Sequence, residues 1–174
     1  MKIKDNFLEQ KEFDKLQDLM MGDKFAWYYK PTIDSQDDVD DENKFQFVHM
    51  FYTQFVPCSP FIEELQPIIN LIQPTALSRI KANLLIKTTN IVENSFHVDL
   101  GEMLVEKQQY WTTSIFYINT NDGYTEFQDG RIAMENTIVK SVANRMVTFP
   151  ANLRHRGTTC TDEKTRVVIN FNYF

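Results

Sequence analysis

The chain has 174 residues, 43% of them apolar, 13% aromatic and 24% charged, with a formal net charge of −6. That length fits one domain with a core able to fold unaided, and 14 Phe, 7 Tyr and 2 Trp exclude a disordered chain. No stretch reaches the ~18 consecutive apolar residues of a membrane helix. The opening Met1-Lys2-Ile3-Lys4-Asp5-Asn6 starts no secretory apolar run, and Cys58 and Cys160 show no paired spacing, so a cytoplasmic protein without disulfides is expected.

Residues 5–21 place Phe13, Leu16, Leu19 and Met20 near a 3.6-residue period ahead of Gly22, which predicts an amphipathic helix. Residues 23–30 read as an aromatic strand closed by Pro31. In loop 32–43 stand Asp34, Asp37, Asp38, Asp40, Asp41 and Glu42 with no Lys or Arg. Without these six the chain carries 18 acids and 18 bases, which argues against a nucleic-acid surface, where bases cluster. The acids lack the central Gly and closing Glu of an EF-hand, so the stretch reads as a solvated loop. Residues 45–56 are apolar and β-branched. Ser59-Pro60 then opens a helix toward Ile72, with a kink expected at Pro67.

From Leu77 onward the texture changes. Short β-rich runs cover 80–87, 112–119, 125–127, 132–134, 137–140, 146–149 and 165–174, with tight-turn signals at Asn121-Asp122-Gly123 and Asp129-Gly130. The predicted fold is mostly β, a small sandwich or barrel with the N-terminal helices packed on one sheet. Residues 1–78 form a helical and strand support and residues 79–174 the β core of a single domain, 1–174. There is no P-loop, GxGxxG or GxSxG run.

The chain has three histidines. His49 lies in an apolar-aromatic run and reads as structural. In His97-Val98-Asp99 an imidazole and a carboxylate stand two apart, so on a strand they share a face and can meet one ion. His155 follows 56 positions after Asp99, room for several strands to turn back to the site. Two imidazoles and one carboxylate on an octahedral ion leave three open positions, an arrangement suited to non-haem Fe(II) oxygen chemistry. Arg166 opens the last β-run, where alternation sets Arg166, Asn170 and Asn172 opposite Val167, Ile169, Phe171 and Tyr173. A guanidinium inside a barrel implies an acidic ligand; the alternative is a cross-strand pair with Glu126 or Glu163.

These elements, with the runs Thr113-Ser-Ile-Phe-Tyr-Ile-Asn119 and Asp122-Gly123-Tyr124-Thr125-Glu126-Phe127, resemble the Fe(II) and 2-oxoglutarate-dependent dioxygenases, in their prolyl-4-hydroxylase branch. Length and the Arg-x-x-x-Asn-Phe-Asn-Tyr ending are similar to small phage-encoded members. The resemblance covers residues 79–174. It implies a double-stranded β-helix, a cupin-like jelly roll, with Fe(II) on His97, Asp99 and His155. It further implies 2-oxoglutarate as co-substrate, with its distal carboxylate on Arg166 and a hydrogen bond from Tyr117. Thr113 and Ile115 share the face of Tyr117, which reads equally as a core aromatic. Asn170 stands where the family often has a Ser or Thr reaching the same carboxylate, and Asp122 replaces a hairpin glycine. Asn172, Tyr124 and Arg131 are candidate substrate contacts.

The implied reaction uses O2 to convert 2-oxoglutarate to succinate and CO2 while hydroxylating a C–H bond of a peptidyl proline or other amino-acid side chain. The carboxylate of Asp99 argues against halogenation, which needs that ligand position free. A peptide or small-molecule partner is implied, with no membrane and no nucleic acid, in a host cytoplasm if the protein is virus-encoded. The resemblance also allows loop 32–43 to act as a lid. The competing readings are a non-catalytic jelly-roll binding or virion structural protein, and a cupin-like metalloenzyme that does not use 2-oxoglutarate.

Overall fold

Strands dominate the computed structural model, which describes residues 1–33, 44–101, 105–128 and 136–174. In chain order they are β1 (Lys2–Lys4), β2 (Tyr28–Lys30), β3 (Gln46–Thr53), β4 (Val56–Pro57), β5 (Leu77–Ile86), β6 (Thr112–Tyr117), β7 (Tyr124–Phe127), β8 (Thr137–Lys140), β9 (Arg145–Pro150), β10 (His155–Gly157) and β11 (Thr165–Tyr173). The helices are α1 (Gln10–Met21), α2 (Gln66–Ile72) and the short α3 (Val105–Gln108). A large antiparallel sheet runs β1-β9-β6-β11-β5-β3-β2, with β4 paired to β3, and a smaller one runs β10-β7-β8. This is the jelly roll that the sequence predicts.

Strand alternation divides the apolar residues between two cores. On the outer face of the large sheet, Ile80, Ala82, Phe116, Val167, Ile169 and Phe171 pack against Phe13, Leu16 and Met20 of α1 and against Leu65 and Ile68. On its inner face, Ile115, Tyr117, Val147, Phe149 and Val168 meet Phe127 of β7 and Val139 of β8. The central strand β11 sets the register: Val168 lies opposite Asn83 of β5 on one side and Tyr117 of β6 on the other. The inner positions of β5 and β11 not covered by this second core carry Arg79, Lys81, Asn83, Arg166, Asn170 and Asn172. They form a polar floor.

Several local expectations are corrected. The first helix begins at Gln10 rather than residue 5, because the Phe7 and Leu8 N–H groups donate to Asn144, and residues 2–4 before them pair with β9 as an edge strand. The aromatic strand is confined to Tyr28–Lys30. Pro67 kinks nothing: it falls in the first turn of α2, after a 3-10 turn at Ile62–Leu65, where its missing N–H is not needed. Residues 45–56 form the β3–β4 hairpin. Asn121-Asp122-Gly123 is not a tight hairpin turn, since it carries the chain from the large sheet into the small one, and no described glycine has a positive φ. The expected run 132–134, the Asp129-Gly130 turn and nearly all of loop 32–43 lie outside the described residues, as does any lid role for that loop. Among the described residues no helix is long and apolar enough to cross a membrane.

Candidate metal and co-substrate site

His97 and Asp99 converge as expected, but not by strand alternation. Their segment is irregular and is tied to β10 by one antiparallel bridge, in which the His97 N–H donates to the His155 carbonyl at 2.9 Å and the His155 N–H donates back at 3.0 Å. The bridge sets the two imidazole rings 4.9 Å apart. Asp99 follows, and the ligand atoms of His97, Asp99 and His155 all lie within 4.8 Å of one another.

Each imidazole is oriented by a carbonyl. Nδ1 of His97 lies 3.0 Å from the Ser95 oxygen and Nδ1 of His155 lies 3.1 Å from the Leu153 oxygen. A carbonyl only accepts, so both Nδ1 atoms carry the proton and both lone pairs sit on Nε2. The ring of His155 is wedged edge-on against Phe149 and stacked near Phe127. Burial among these groups pushes its pKa down, opposed by the nearby Asp99 charge, which favours the neutral, ligating form.

Asp99 has a side chain only 4% exposed. The Asn170 amide donates to its two oxygens at 3.3 and 3.2 Å, the Asn172 amide donates at 3.3 Å, and Nη2 of Arg79 stands 2.9 Å from Oδ1. Burial alone would raise its pKa. The positive charge of Arg79, the strongest opposing influence, helped by Lys81, outweighs that and holds the carboxyl well below the usual range. Nε2 of His155 is buried 3.9 Å from Asp99 Oδ2, with no hydrogen-bond partner among the described residues. Leaving such an atom unpaired is costly. A divalent cation among two imidazole nitrogens and a carboxylate oxygen would satisfy it, and this donor set fits Fe(II).

These three residues and Arg166 line one cleft. Arg166 is buried, its Nε donating to Ser141 Oγ at 2.8 Å and its Nη2 to Thr125 Oγ1 at 3.0 Å. Burial pushes its pKa down, and no carboxylate pairs with it among the described residues. The alternative partner Glu126 is taken by Arg156 at 2.6 Å.

Of the remaining sequence candidates, Ile115 lines the cleft. Tyr117 is fully buried, its hydroxyl donating to Thr125 at 2.8 Å and its ring 5.8 Å from the Arg166 guanidinium, so it supports the arginine from within the core. Thr113 accepts from the Asn172 amide at 3.0 Å. Asn170 and Asn172 face Asp99. Tyr124 donates to Glu93 at 2.7 Å, and Arg131 lies outside the described residues. His49 is structural: its Nδ1 donates to the Ala26 carbonyl at 2.7 Å and its Nε2 accepts from Ser59 at 2.7 Å. Sequence reasoning missed Arg79, Lys81 and Asn83. The alternation that exposed β11 would have found them, since they interleave with Ile80, Ala82 and Leu84.

No protein-family model matches the chain, and no curated protein matches it in sequence. Solved structures do share its fold. The prolyl hydroxylase of Trichoplax adhaerens, in complex with a hypoxia inducible factor oxygen degradation domain peptide fragment, superposes with a TM-score of 0.70 at 13% identity, over 99% of this chain and 82% of that one. HygX of Streptomyces hygroscopicus, with nickel, 2-oxoglutarate and hygromycin B bound, gives 0.64 at 10% identity, over 98% and 81%. A prolyl-4-hydroxylase of Pseudomonas putida gives 0.58 at 9% identity, over 99% and 91%. The fold is therefore the one used by Fe(II) and 2-oxoglutarate oxygenases.

Proposed function

We propose that the protein is an Fe(II)- and 2-oxoglutarate-dependent oxygenase that hydroxylates a C–H bond, on a peptidyl proline or another amino-acid side chain. One observation carries this reading: a two-histidine, one-carboxylate cluster, with His155 buried and His97 and Asp99 half-buried, shares a cleft with a buried guanidinium that no described carboxylate neutralises. A cupin-like metalloenzyme without 2-oxoglutarate would have no use for that cation, nor would a non-catalytic jelly roll.

Nε2 of His97, Nε2 of His155 and Asp99 hold the metal, which when bound supplies Lewis acidity and O2 activation. Arg166 takes the distal carboxylate of 2-oxoglutarate, with Ser141 and Thr125 fixing the plane of its fork so that little ordering is left to the binding event. Ile115, Val168 and Leu85 form apolar wall that excludes water and strengthens the pairing. In the overall balance 2-oxoglutarate loses CO2 to give succinate. One atom of O2 enters the succinate carboxylate and the other becomes the substrate hydroxyl. Amino-acid substrates are supported by the peptide-bound hydroxylase neighbour, while the neighbour holding hygromycin B keeps small molecules in the test.

Titration calorimetry with Mn(II) is expected to give one site in the wild type and none in His155→Ala. Succinate is expected to form only with Fe(II) and 2-oxoglutarate together, faster when the right member of a peptide or metabolite pool is added. Equal Mn(II) affinity in both proteins, or no succinate, overturns the proposal.

A further inference from the structure

Resting on the reading of His97, Asp99 and His155 as the Fe(II) site, we propose that Arg79 makes metal occupancy conditional on the dicarboxylate: it neutralises Asp99 before the metal arrives and opposes a divalent cation until 2-oxoglutarate brings compensating charge. The guanidinium is built in. Arg79 and Asn172 are paired across β5 and β11, and Nε of Arg79 donates to Asn172 Oδ1 at 3.0 Å. That tether leaves Nη2 2.9 Å from Asp99 Oδ1, buried, and without an aligned hydrogen bond to any described atom. Its contact with Asp99 is therefore chiefly one of charge. Asn170 and Asn172 already supply the carboxylate with neutral donors. Orientation alone would be met by these amides, so the added cation has an electrostatic consequence.

The only carboxylate of the described cluster thus meets the metal already offset by a fixed positive charge, in a cleft that also holds Arg166. Charges a few ångströms apart away from bulk water interact strongly enough to change an affinity about tenfold or more. A dicarboxylate reaching Arg166 and the metal reverses the balance, and by linkage each ligand then tightens the other by the same factor.

The test is Mn(II) titration of the metal-free protein, without and with saturating 2-oxoglutarate. Wild type is expected to bind Mn(II) weakly alone and much more tightly with the co-substrate. Arg79→Gln is expected to bind Mn(II) alone about tenfold more tightly, with a correspondingly smaller gain from 2-oxoglutarate. A purely supporting role gives the opposite sign, since loss of an outer partner typically weakens metal binding about 10- to 100-fold. Arg79→Lys keeps the charge and is expected to follow wild type. Arg79→Met fills the same space without charge and replaces the glutamine variant if circular dichroism shows that one unfolded. Unchanged or weaker Mn(II) binding in the neutral variant overturns the proposal, as does a lysine variant that behaves like it. A wild type that binds no Mn(II) even with saturating 2-oxoglutarate overturns the oxygenase reading itself; a wild type that binds while Arg79→Gln is indistinguishable overturns only the role of Arg79.

Discussion

Arg166 fits its site because two glycines stand back from it. A Cβ on Gly123 would lie 2.7 Å from Arg166 Cδ, and one on Gly157 would lie 3.3 Å from Nη1. Gly157→Ala should therefore push the guanidinium aside and weaken 2-oxoglutarate binding about tenfold, while Mn(II) affinity stays at the wild-type value. Arg166→Ala should cost more, about 2 to 5 kcal/mol or roughly 30-fold in affinity or more, by calorimetry. Tyr124 offers a separate check through pH. Its hydrogen bond to Glu93, with burial and the Glu93 charge, pushes the phenol up to about 12 from 10.0. A folded pKa above the unfolded one makes its contribution fully present below pH 10 and lost as pH rises through about 12. Ultraviolet titration should show one late-ionising tyrosine fewer in Tyr124→Phe. The candidate ligands His97, Asp99 and His155, with Arg166, were legible as residue types in one order. The roles of Asn170, Asn172 and Arg79 were not, because which polar atoms meet Asp99 depends on cross-strand register, which no single strand encodes.

The long strands announce themselves by alternation, as β5 and β11 do, whereas β1, β2 and β4 are two or three residues long and too short to carry a period. Their pairing is decided by the neighbouring strand, so they were missed or overextended. The His97–Asp99 segment fails in a different way. It reads as a strand, yet it pairs at single bridges, Glu93 with Thr158 and His97 with His155, and what places the ligands is the partner β10 rather than local propensity. The β3–β4 hairpin shows a local conflict of its own. Gln54 and Phe55 turn the chain with φ of 49° and 64°, a left-handed pair that favours Asn-Gly. Phe55 is 65% exposed, so its ring contributes little burial there. Phe55→Gly should relieve the backbone and raise stability by about 1 kcal/mol in urea unfolding, with the slope unchanged.

The two sheets meet through a buried apolar layer at one end and through the candidate site at the other. Arg166 of the large sheet donates to Thr125 of the small one, Tyr117 donates to the same hydroxyl, and the paired histidine backbones close the cleft. The three strands β10-β7-β8 need their apolar face covered, and Phe127 and Val139 find that cover only against the large sheet, so the small sheet depends on this packing and these links. Metal on His97, Asp99 and His155, with a dicarboxylate on Arg166, would add ties from β11 to β10 at the open end. Ligands that bind only the native state stabilise it by mass action, about 2.7 kcal/mol at 100 times Kd. For a chain of this size that is a rise in Tm of about 5 to 10 °C. Mn(II) with 2-oxoglutarate should give this shift in wild type and much less in Arg166→Ala, where the metal alone remains. Hydrogen exchange should locate the gain, with new protection at the amides of Asn94, His97 and His155, whose bonds join the ligand-bearing segment to β10. A Tm rise with unchanged exchange at these three amides would mean that the ligands bind elsewhere and that the joint between the sheets is not their site.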